Sequence, residues 1–384
     1  MVDLRFFIND LQLGEYSHGK GGDLQEHMKK DLQRWNMMVK FVRRVNAFFN
    51  GKTKAPSLYC MSIFNPLNII PLRWLSRLFF VSSNFWKSIV VPIYSSSFLT
   101  SKLDCVPAVI LPIIHDLIPV DHHATMRTWK ENSSLVFEKL VQGISVHVNC
   151  PVTRVAFSSS AHLYASSSSS TTNNRSIFVF TPQGQVLEFD HVVFACNADA
   201  AADAMEGASF LERFLLKRVG YADDDDQSFL DGRIHMDASV LPPEHRDEIL
   251  SSFANYIEVD HGNVQNTFVL SSWIPAVRAA AVKGPLLVTY NSKLLVKEVL
   301  GTVSNARCHP HMSLWNMIIA ILLRLVQGRR GVYYCGSFAT PGNGHDLSLL
   351  SGMVVAHALG APYPFETQPA AADDFRRLRG LMGF

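Results

Sequence analysis

The fold is decided by the stretch Val332-Tyr333-Tyr334-Cys335-Gly336-Ser337-Phe338-Ala339-Thr340-Pro341-Gly342-Asn343-Gly344-His345-Asp346-Leu347-Ser348-Leu349-Leu350-Ser351-Gly352. Its pattern predicts a short buried strand, a glycine-rich loop and then a helix that ends at Gly360. The first N–H groups of such a helix are unpaired, and the positive end of the helix dipole lies behind them. Glycines at 336, 342 and 344 let the backbone approach a ligand closely. The segment is therefore either an anion or cofactor cradle or an ordinary strand–loop–helix crossover.

This segment resembles the C-terminal flavin-contacting motif of the FAD-dependent amine oxidase-like flavoproteins. The resemblance is closest to the branch of predicted NAD/FAD-binding proteins whose relatives occur beside or fused to cyclopropane-fatty-acid synthases. Further blocks of that branch follow in the same order along the chain, at 189–199, at Ile234 to Pro242 and, in part, at Val288-Thr289-Tyr290. The resemblance spans residues 125–362.

The resemblance implies an α/β fold of FAD/NAD(P)-binding Rossmann-like type, with two lobes, a β-meander and an α-rich substrate lobe. It implies a helical substrate-lobe segment at 1–140, an FAD-lobe meander and strand at 141–205 and a second substrate-lobe segment at 206–327. A C-terminal FAD-contacting strand, loop and helix at 328–362 and a tail at 363–384 complete the chain. It also implies FAD as the cofactor, with these contacting residues: Val152 through its backbone at the adenine, Ala195, Cys196, Asn197, Gly336, Ser337, Gly344, His345, Asp346, Leu347 and Leu349.

One expected element of this family is missing from the sequence. Flavoproteins of this kind open with a strand, a G-x-G-x-x-G turn and a helix that hold the pyrophosphate of FAD. No such glycine pattern occurs here. Gly14 to Gly21 has the spacing of a P-loop, but Gly21 stands where a Ser or Thr would hold magnesium. We therefore expect an N-terminally truncated member of the family.

Composition narrows the class of protein. Hydrophobic residues make up 48% of the chain and charged residues 18%, which favours extensive burial or membrane contact over disorder. The net charge of +2 gives no electrostatic case for nucleic acid. The six cysteines form no C-x-x-C pair, so neither a disulfide framework nor a zinc site is predicted. The start of the chain lacks a signal-peptide pattern, and we expect an intracellular, cytoplasmic protein.

Two regions bear on membranes and on the substrate. Residues 23–49 predict a helix with a basic face, which either lies on an anionic membrane as a peripheral contact or is simply solvated. Residues 58–120 are strongly apolar but interrupted by prolines, and no run reaches the roughly 20 apolar residues that a membrane span needs. In the resembling flavoproteins this region belongs to the substrate lobe, so we expect an apolar or lipid-like substrate.

The middle of the chain predicts strands. Apolar and polar residues alternate with period two at 144–148, and the pattern continues at 151–155. Further strands are predicted at 177–181 and 186–189. The serine-rich segment 158–176 between them is predicted to be a hairpin loop.

No catalytic residue can be assigned from the sequence. Flavin oxidations need little from the protein beyond positioning and electrostatics, and the helix that begins near Leu347 is the candidate for stabilising a reduced flavin, helped by the backbone at Leu349. Asp346 is predicted to be the N-cap of that helix, and His345 is either a proton acceptor or a loop-positioning residue. His235 and Asp237, two apart on a strand, are expected to form either an oriented pair or part of a solvated edge.

The resemblance therefore implies a FAD-dependent oxidoreductase of amine oxidase-like type that acts on an apolar or lipid-derived substrate. The alternative is a non-catalytic, truncated flavoprotein remnant that acts as a binding or membrane-surface protein. No metal site is predicted.

Overall fold

The computed structural model describes residues 4–9, 16–17, 26–50, 64–98, 103–112, 115, 133–157, 176–221, 231–251, 253–260, 263–274, 277, 284–292, 296–304, 309–342 and 344–384. The predictions for the serine-rich segment and for Gly14 to Gly21 lie wholly or mainly outside these residues. The chain divides into two compact units. The first comprises residues 1–45, 69–144 and 221–309, and the second comprises 46–68, 145–220 and 310–384. The lobe boundaries inferred from the resemblance stay a prediction.

The α-helices of the described residues are α1 (Glu26–Asn50), α2 (Leu72–Leu78), α3 (Ser83–Phe85), α4 (Val91–Phe98), α5 (Ser133–Leu140), α6 (Ala198–Ala204), α7 (Phe210–Leu216), α8 (Arg246–Ser251), α9 (Leu270–Trp273), α10 (Leu314–Leu322), α11 (His345–Ala358) and α12 (Pro369–Met382). The strands are β1 (Leu4–Asn9), β2 (Tyr16–Ser17), β3 (Arg154–Phe157), β4 (Ile177–Phe180), β5 (Val186–Phe189), β6 (Val192–Phe194), β7 (Asp231–His235), β8 (Phe253–Asp260), β9 (Asn263–Val269), β10 (Leu287–Tyr290), β11 (Val299–Ser304) and β12 (Val332–Tyr334).

The first unit is built on a seven-stranded sheet of order β11-β7-β10-β9-β8-β1-β2. β1 and β8 pair in parallel, and the other neighbours are antiparallel. One part of its core contains Leu241, Ile249, Tyr256 and Leu287. The sequence analysis did not predict this sheet.

The predicted amphipathic helix is observed as α1, Glu26–Asn50, and its predicted start at Asp23 lies outside the described residues. Its apolar stripe is buried because it packs on the aromatic residues that follow α2. The ring of Trp35 lies 6.4 Å from that of Phe85 and 5.7 Å from that of Tyr94. Burial of Met28, Trp35 and Val39 confirms that the predicted apolar face points inward.

The second unit contains a two-stranded parallel sheet, β6 with β12, and an antiparallel sheet of order β3-β4-β5. Strands β3, β4 and β5 follow one another in sequence and pair in that order, as predicted for the β-meander. A core that includes Val354, Leu378 and Phe375 joins helices α11 and α12, where the rings of Tyr363 and Phe375 stack at 4.0 Å.

The predicted strand at 144–148 is wrong. Ile144, Val146 and Val148 are 63%, 54% and 77% exposed, and within the described part of the chain they pair with no strand. The N–H of Ile144 instead donates to the carbonyl of Val141, just after α5. Alternation of apolar residues forms a strand only when a neighbouring strand takes up its backbone groups, and the first such bond is made at Thr153, whose N–H donates to the carbonyl of Phe180.

Within the described residues, no helix has both the length and the apolar character needed to cross a bilayer.

Candidate functional site

Two parallel strands of the second unit end at the same edge of their sheet. β6 and β12 pair with Val332 opposite Val192 and Tyr334 opposite Phe194. The N–H of Cys335 then donates to the carbonyl of Phe194 at 3.0 Å. Residues 195–197 and 335–337 therefore leave the two strands side by side. Ligands of open α/β sheets bind at this carboxyl edge, so it is the candidate site.

A buried network fixes β12 beneath this edge. The Tyr334 hydroxyl donates to the carboxylate of Glu212 at 3.3 Å, and the Arg330 guanidinium lies 2.5 Å from the same carboxylate. Ser209 completes a capping box with Glu212 at the start of α7. Burial alone would raise the pKa of Glu212, but the hydrogen bonds from Ser209 and Arg330 outweigh it and hold that pKa below its ordinary value. Burial, reinforced by the charge of Glu212, raises the pKa of Tyr334, which keeps the phenol neutral.

Gly336 begins the loop that follows β12. Its backbone has φ 109° and ψ −176°, a conformation open almost only to glycine. Its N–H donates to the hydroxyl of Ser351 at 2.8 Å, and that hydroxyl donates in turn to the carbonyl of Ser348 at 2.7 Å. Since Ser351 and Ser348 belong to α11, this contact fixes the end of β12 against the helix.

The rest of the loop is shaped around Thr340. Its hydroxyl lies 3.0 Å from the carbonyl oxygen of Ser337 and 2.7 Å from that of Gly342. Residues 337–339 form one turn of 3-10 helix, and Phe338 and Ala339 are buried. These bonds therefore define the path of the loop as far as Gly342.

Helix α11 begins one residue earlier than Asp346, so the prediction that Asp346 is its N-cap is wrong. Gly344 occupies the cap position with extended backbone and no side-chain cap, and Asp346 lies in the first turn. A Cβ added to Gly344 would collide with Oδ1 of Asp346, which shows that this carboxylate folds back over the glycine. A cap residue must keep non-helical backbone angles, which Gly344 does and a residue inside the first turn does not.

Only some of the predicted site residues lie at the edge of β6 and β12. Ala195 and Cys196 are exposed at the end of β6, and Asn197 occupies the N-cap position of α6. Gly336 and Ser337 lie beside them through the pairing of β6 with β12. The remaining predicted residues lie elsewhere: His345 and Asp346 are exposed on the first turn of α11, Leu347 is fully buried, Leu349 is 55% exposed, and Val152 precedes β3 in the separate meander sheet.

The two cysteines at this edge are thiols rather than thiolates. Burial, with a smaller effect of Cys196, raises the pKa of Cys335 to about 11. Burial also raises the pKa of Cys196. A thiolate nucleophile needs a lowered pKa, so neither group is suited to that role at neutral pH.

Sequence reasoning missed several residues that build the site. Glu212, Arg330 and Ser351 come from three different segments and meet only in the fold. The spacing Ser209-x-x-Glu212 before an apolar run was a readable sign of the capping box. No local sequence signal could have shown that Glu212 pairs with Arg330, because the two residues lie 118 positions apart in the chain.

His235 and Asp237 form neither the catalytic pair nor the solvated edge that their spacing allowed. His235 ends β7 fully buried, and its Nε2 lies 2.8 Å from the hydroxyl of Thr289, which lies 2.9 Å from that of Thr267. The backbone N–H of Asp237 lies 3.2 Å from Nδ1 of His235, while the carboxylate of Asp237 accepts bonds from Ser239 and from the N–H of Lys297. The Ser239 hydroxyl foremost, with the Lys297 N–H, lowers the pKa of Asp237 to about 2. Asp237 therefore orients a loop, and His235 belongs to the interior of the sheet.

The described residues fit one end of a flavin. The carboxyl edge of β6 and β12 presents small side chains and a glycine conformation that a Cβ disfavours. Helix α11, of 14 residues, follows in the chain and begins with a turn at residues 345–348. Free N–H groups and the helix dipole at such a turn favour negative charge. The pyrophosphate end of FAD has no matching glycine fingerprint in the sequence. In the described part of the chain, no group of three His, Cys, Asp or Glu residues is arranged to hold a metal ion.

Comparison with known proteins identifies the fold. No family model and no curated protein matches the chain. A structure of reduced UDP-galactopyranose mutase is similar to it with a TM-score of 0.54 and 10% identity, over 98% of this chain and 82% of that one. A triple mutant of putrescine oxidase, made in a redesign of cofactor binding, is similar with a TM-score of 0.53 and 10% identity, over 97% of this chain and 81% of that one. The predicted α/β fold of the amine oxidase-like flavoproteins is thereby confirmed.

Proposed function

We propose that this protein is a FAD-dependent oxidoreductase of amine oxidase-like type that acts on an apolar, lipid-derived substrate. The observation that carries the proposal is the edge formed by the ends of β6 and β12, where the N–H of Gly336 donates to Ser351 in the middle of α11. Its support from outside the chain is the fold shared with putrescine oxidase, whose described redesign concerns cofactor binding. The cyclopropane-fatty-acid-synthase branch remains part of this proposal and rests on the sequence blocks alone.

Bound FAD would supply the capacity to accept a hydride from a C–H or C–N bond. The chain's own contribution is to hold and polarise the ring. The small residues Ala195 and Gly336 allow close approach, and the positive end of the dipole of α11 would favour negative charge that develops near its first turn. Glu212 and Arg330 keep β12 in place beneath that edge.

The apolar substrate follows from the family resemblance and from composition. Residues 58–120, assigned by the resemblance to the substrate lobe, are rich in aliphatic and aromatic side chains. A pocket lined by such residues favours apolar ligands and needs few polar groups to orient them.

The first experiment is an absorbance and fluorescence spectrum of the purified full chain before and after denaturation. Stoichiometric flavin that is released on denaturation supports the proposal. If the protein stays colourless after incubation with FAD, the oxidoreductase proposal fails and the non-catalytic alternative takes its place. A Gly352→Ala variant is a matched control for substitutions at Gly336, because a Cβ at Gly352 meets nothing within 4 Å.

A further inference from the structure

A surface of the first unit combines exposed aromatic side chains with positive charge. On α1, Met37 and Phe41 are 54% and 41% exposed. On α2 and just beyond it, Trp74, Leu78 and Phe80 are 56%, 58% and 77% exposed. We call these five residues the aromatic surface. Surface apolar residues scattered singly are ordinary, but a group of large ones marks an interaction site.

Direct contacts join the two parts of this surface. The rings of Phe41 and Phe79 lie 5.5 Å apart. The Arg34 guanidinium, one turn before Met37, donates to the carbonyl of Phe80 at 3.0 Å. The side chain of Asp31 accepts from the N–H of Ser82 at 3.2 Å. The exposed edge of α1 is therefore fixed beside the end of α2.

Phe80 is the least expected member of the aromatic surface. The N–H of Val81 donates to the carbonyl of Ser76 at 3.0 Å, and that of Phe80 donates to Arg77 at 2.9 Å. These two bonds are a Schellman motif, which places residue 80 in the left-handed conformation, at φ 57°. Glycine is the favoured residue there because a side chain makes this conformation costly. Since Phe80 is also largely exposed, neither backbone geometry nor packing in the fold explains the aromatic ring.

Basic residues predominate around this surface. From residue 32 to residue 103 the sequence contains no Asp or Glu and ten Lys or Arg. Lys30, Lys40 and Arg44 are exposed at helical spacing with Met37 and Phe41, so they share one face of α1. Asp31, the acid of α1 next to these residues, is 2% exposed and paired with Arg34 at 3.1 Å, whereas Asp104 is exposed and interacts electrostatically with Arg73 of α2. The whole chain carries a net charge of only +2, so the positive charge is concentrated in this region.

We propose that the aromatic surface, with Lys30, Lys40 and Arg44, docks the protein on an anionic lipid bilayer. Aromatic and aliphatic side chains enter the boundary between headgroups and acyl chains, and the cations meet the lipid phosphates. A second copy of this chain is disfavoured as the occupant, because a two-fold contact would bring like charges together.

The experiment is flotation of the full chain with vesicles of phosphatidylcholine, alone or mixed with phosphatidylserine. We expect binding to the phosphatidylserine vesicles, a loss of binding as salt is raised, and a blue shift of tryptophan emission on binding. Phe80→Gly should weaken binding about tenfold while the melting temperature stays level or rises. The double variant Lys40→Gln with Arg44→Gln should weaken it about thirtyfold.

Matched controls separate docking from folding and from total charge. Phe210→Ser removes a phenylalanine that is 85% exposed in the second unit. Lys217→Gln with Arg376→Gln removes the same formal charge from α7's C-cap and α12. Neither control should change binding by more than about twofold.

Three results would overturn the proposal: equal binding to both vesicle types, unchanged binding of Phe80→Gly, or no binding at all. Dimerisation abolished by Phe80→Gly would assign the surface to a second copy, and copurified nucleic acid would assign it to that partner. Because lipid binding is measured without reference to flavin, its outcome is distinct from the test of the oxidoreductase proposal.

Discussion

Gly336 is the residue on which the candidate site depends most directly. An alanine at φ 109° and ψ −176° would cost about 1–3 kcal/mol, even though an added Cβ comes no closer than 4.0 Å to the ring of Phe338. We therefore expect Gly336→Ala to unfold at lower denaturant and to lose flavin. Urea titration and flavin absorbance measure the two effects.

The matched control for this prediction lies in α11. Gly352 occupies the interior of the helix, and alanine there should stabilise the protein by about 1 kcal/mol. Equal effects of the two substitutions would mean that the backbone at Gly336 does not have the conformation described above.

His235 gives a pH prediction at the same scale. Burial lowers the pKa of His235 below the ordinary histidine value of 6.5, against smaller opposing effects of Asp237. A histidine whose folded-state pKa is lowered contributes stability above the unfolded value, and that stability is lost as the pH falls below 6.5. Urea midpoints measured between about pH 8 and about pH 5 should therefore fall for the wild type. His235→Gln should fall less steeply, and parallel curves would contradict the assignment.

At the scale of elements, Ser351 holds β12 and α11 together. Replacing it by alanine leaves the N–H of Gly336 without the acceptor now found at 2.8 Å. Because Ser351 is fully buried, water does not replace the bond, and we expect a loss of about 1–3 kcal/mol. Ser348→Ala is the control, since its hydroxyl bonds only within the helix, to the carbonyl of Gly344.

A second element-scale contact fixes β12 to α7. Arg330→Met removes the partner of the Glu212 carboxylate, which is buried and keeps only its capping bonds and that of Tyr334. We expect a loss of about 2 kcal/mol, below the full value for a buried pair because Arg330 is itself 31% exposed. The loss should shrink as the pH falls below the ordinary glutamate value of 4.5, since a protonated Glu212 needs no cation. An Arg330→Met variant as stable as wild type at neutral pH would refute this role.

The features that could be predicted from the sequence are those that depend on interactions between residues close together in the chain. Strand β12, helix α11 and its end at Gly360 depend on local signals, and all three are observed. The seven-stranded sheet was missed because β1 pairs with β8, about 250 residues away, and its strands give only short apolar runs. The N-cap of α11 was predicted two residues too late, at Asp346, because Gly344 can serve as a cap without a side chain.

At the scale of the whole molecule, the fold and the sequence give different indications of how a flavin would be bound. The fold matches that of reduced UDP-galactopyranose mutase along nearly the whole chain, yet the sequence contains no G-x-G-x-x-G turn. If the edge of β6 and β12 supplies most of the contacts to FAD, the isoalloxazine ring contributes most of the binding affinity and the adenosine half contributes little.

This argument predicts the outcome of a ligand series. FAD, FMN and riboflavin should raise the melting temperature of the full chain at similar concentrations. A ligand at 100 times its dissociation constant stabilises the folded state by about 2.7 kcal/mol, so equal affinities give superimposable curves. A clear preference for FAD over riboflavin would contradict it, because that preference requires a pyrophosphate site built from residues other than a glycine fingerprint. Gly336→Ala should weaken all three flavins alike, since the contact it removes belongs to the ring that they share.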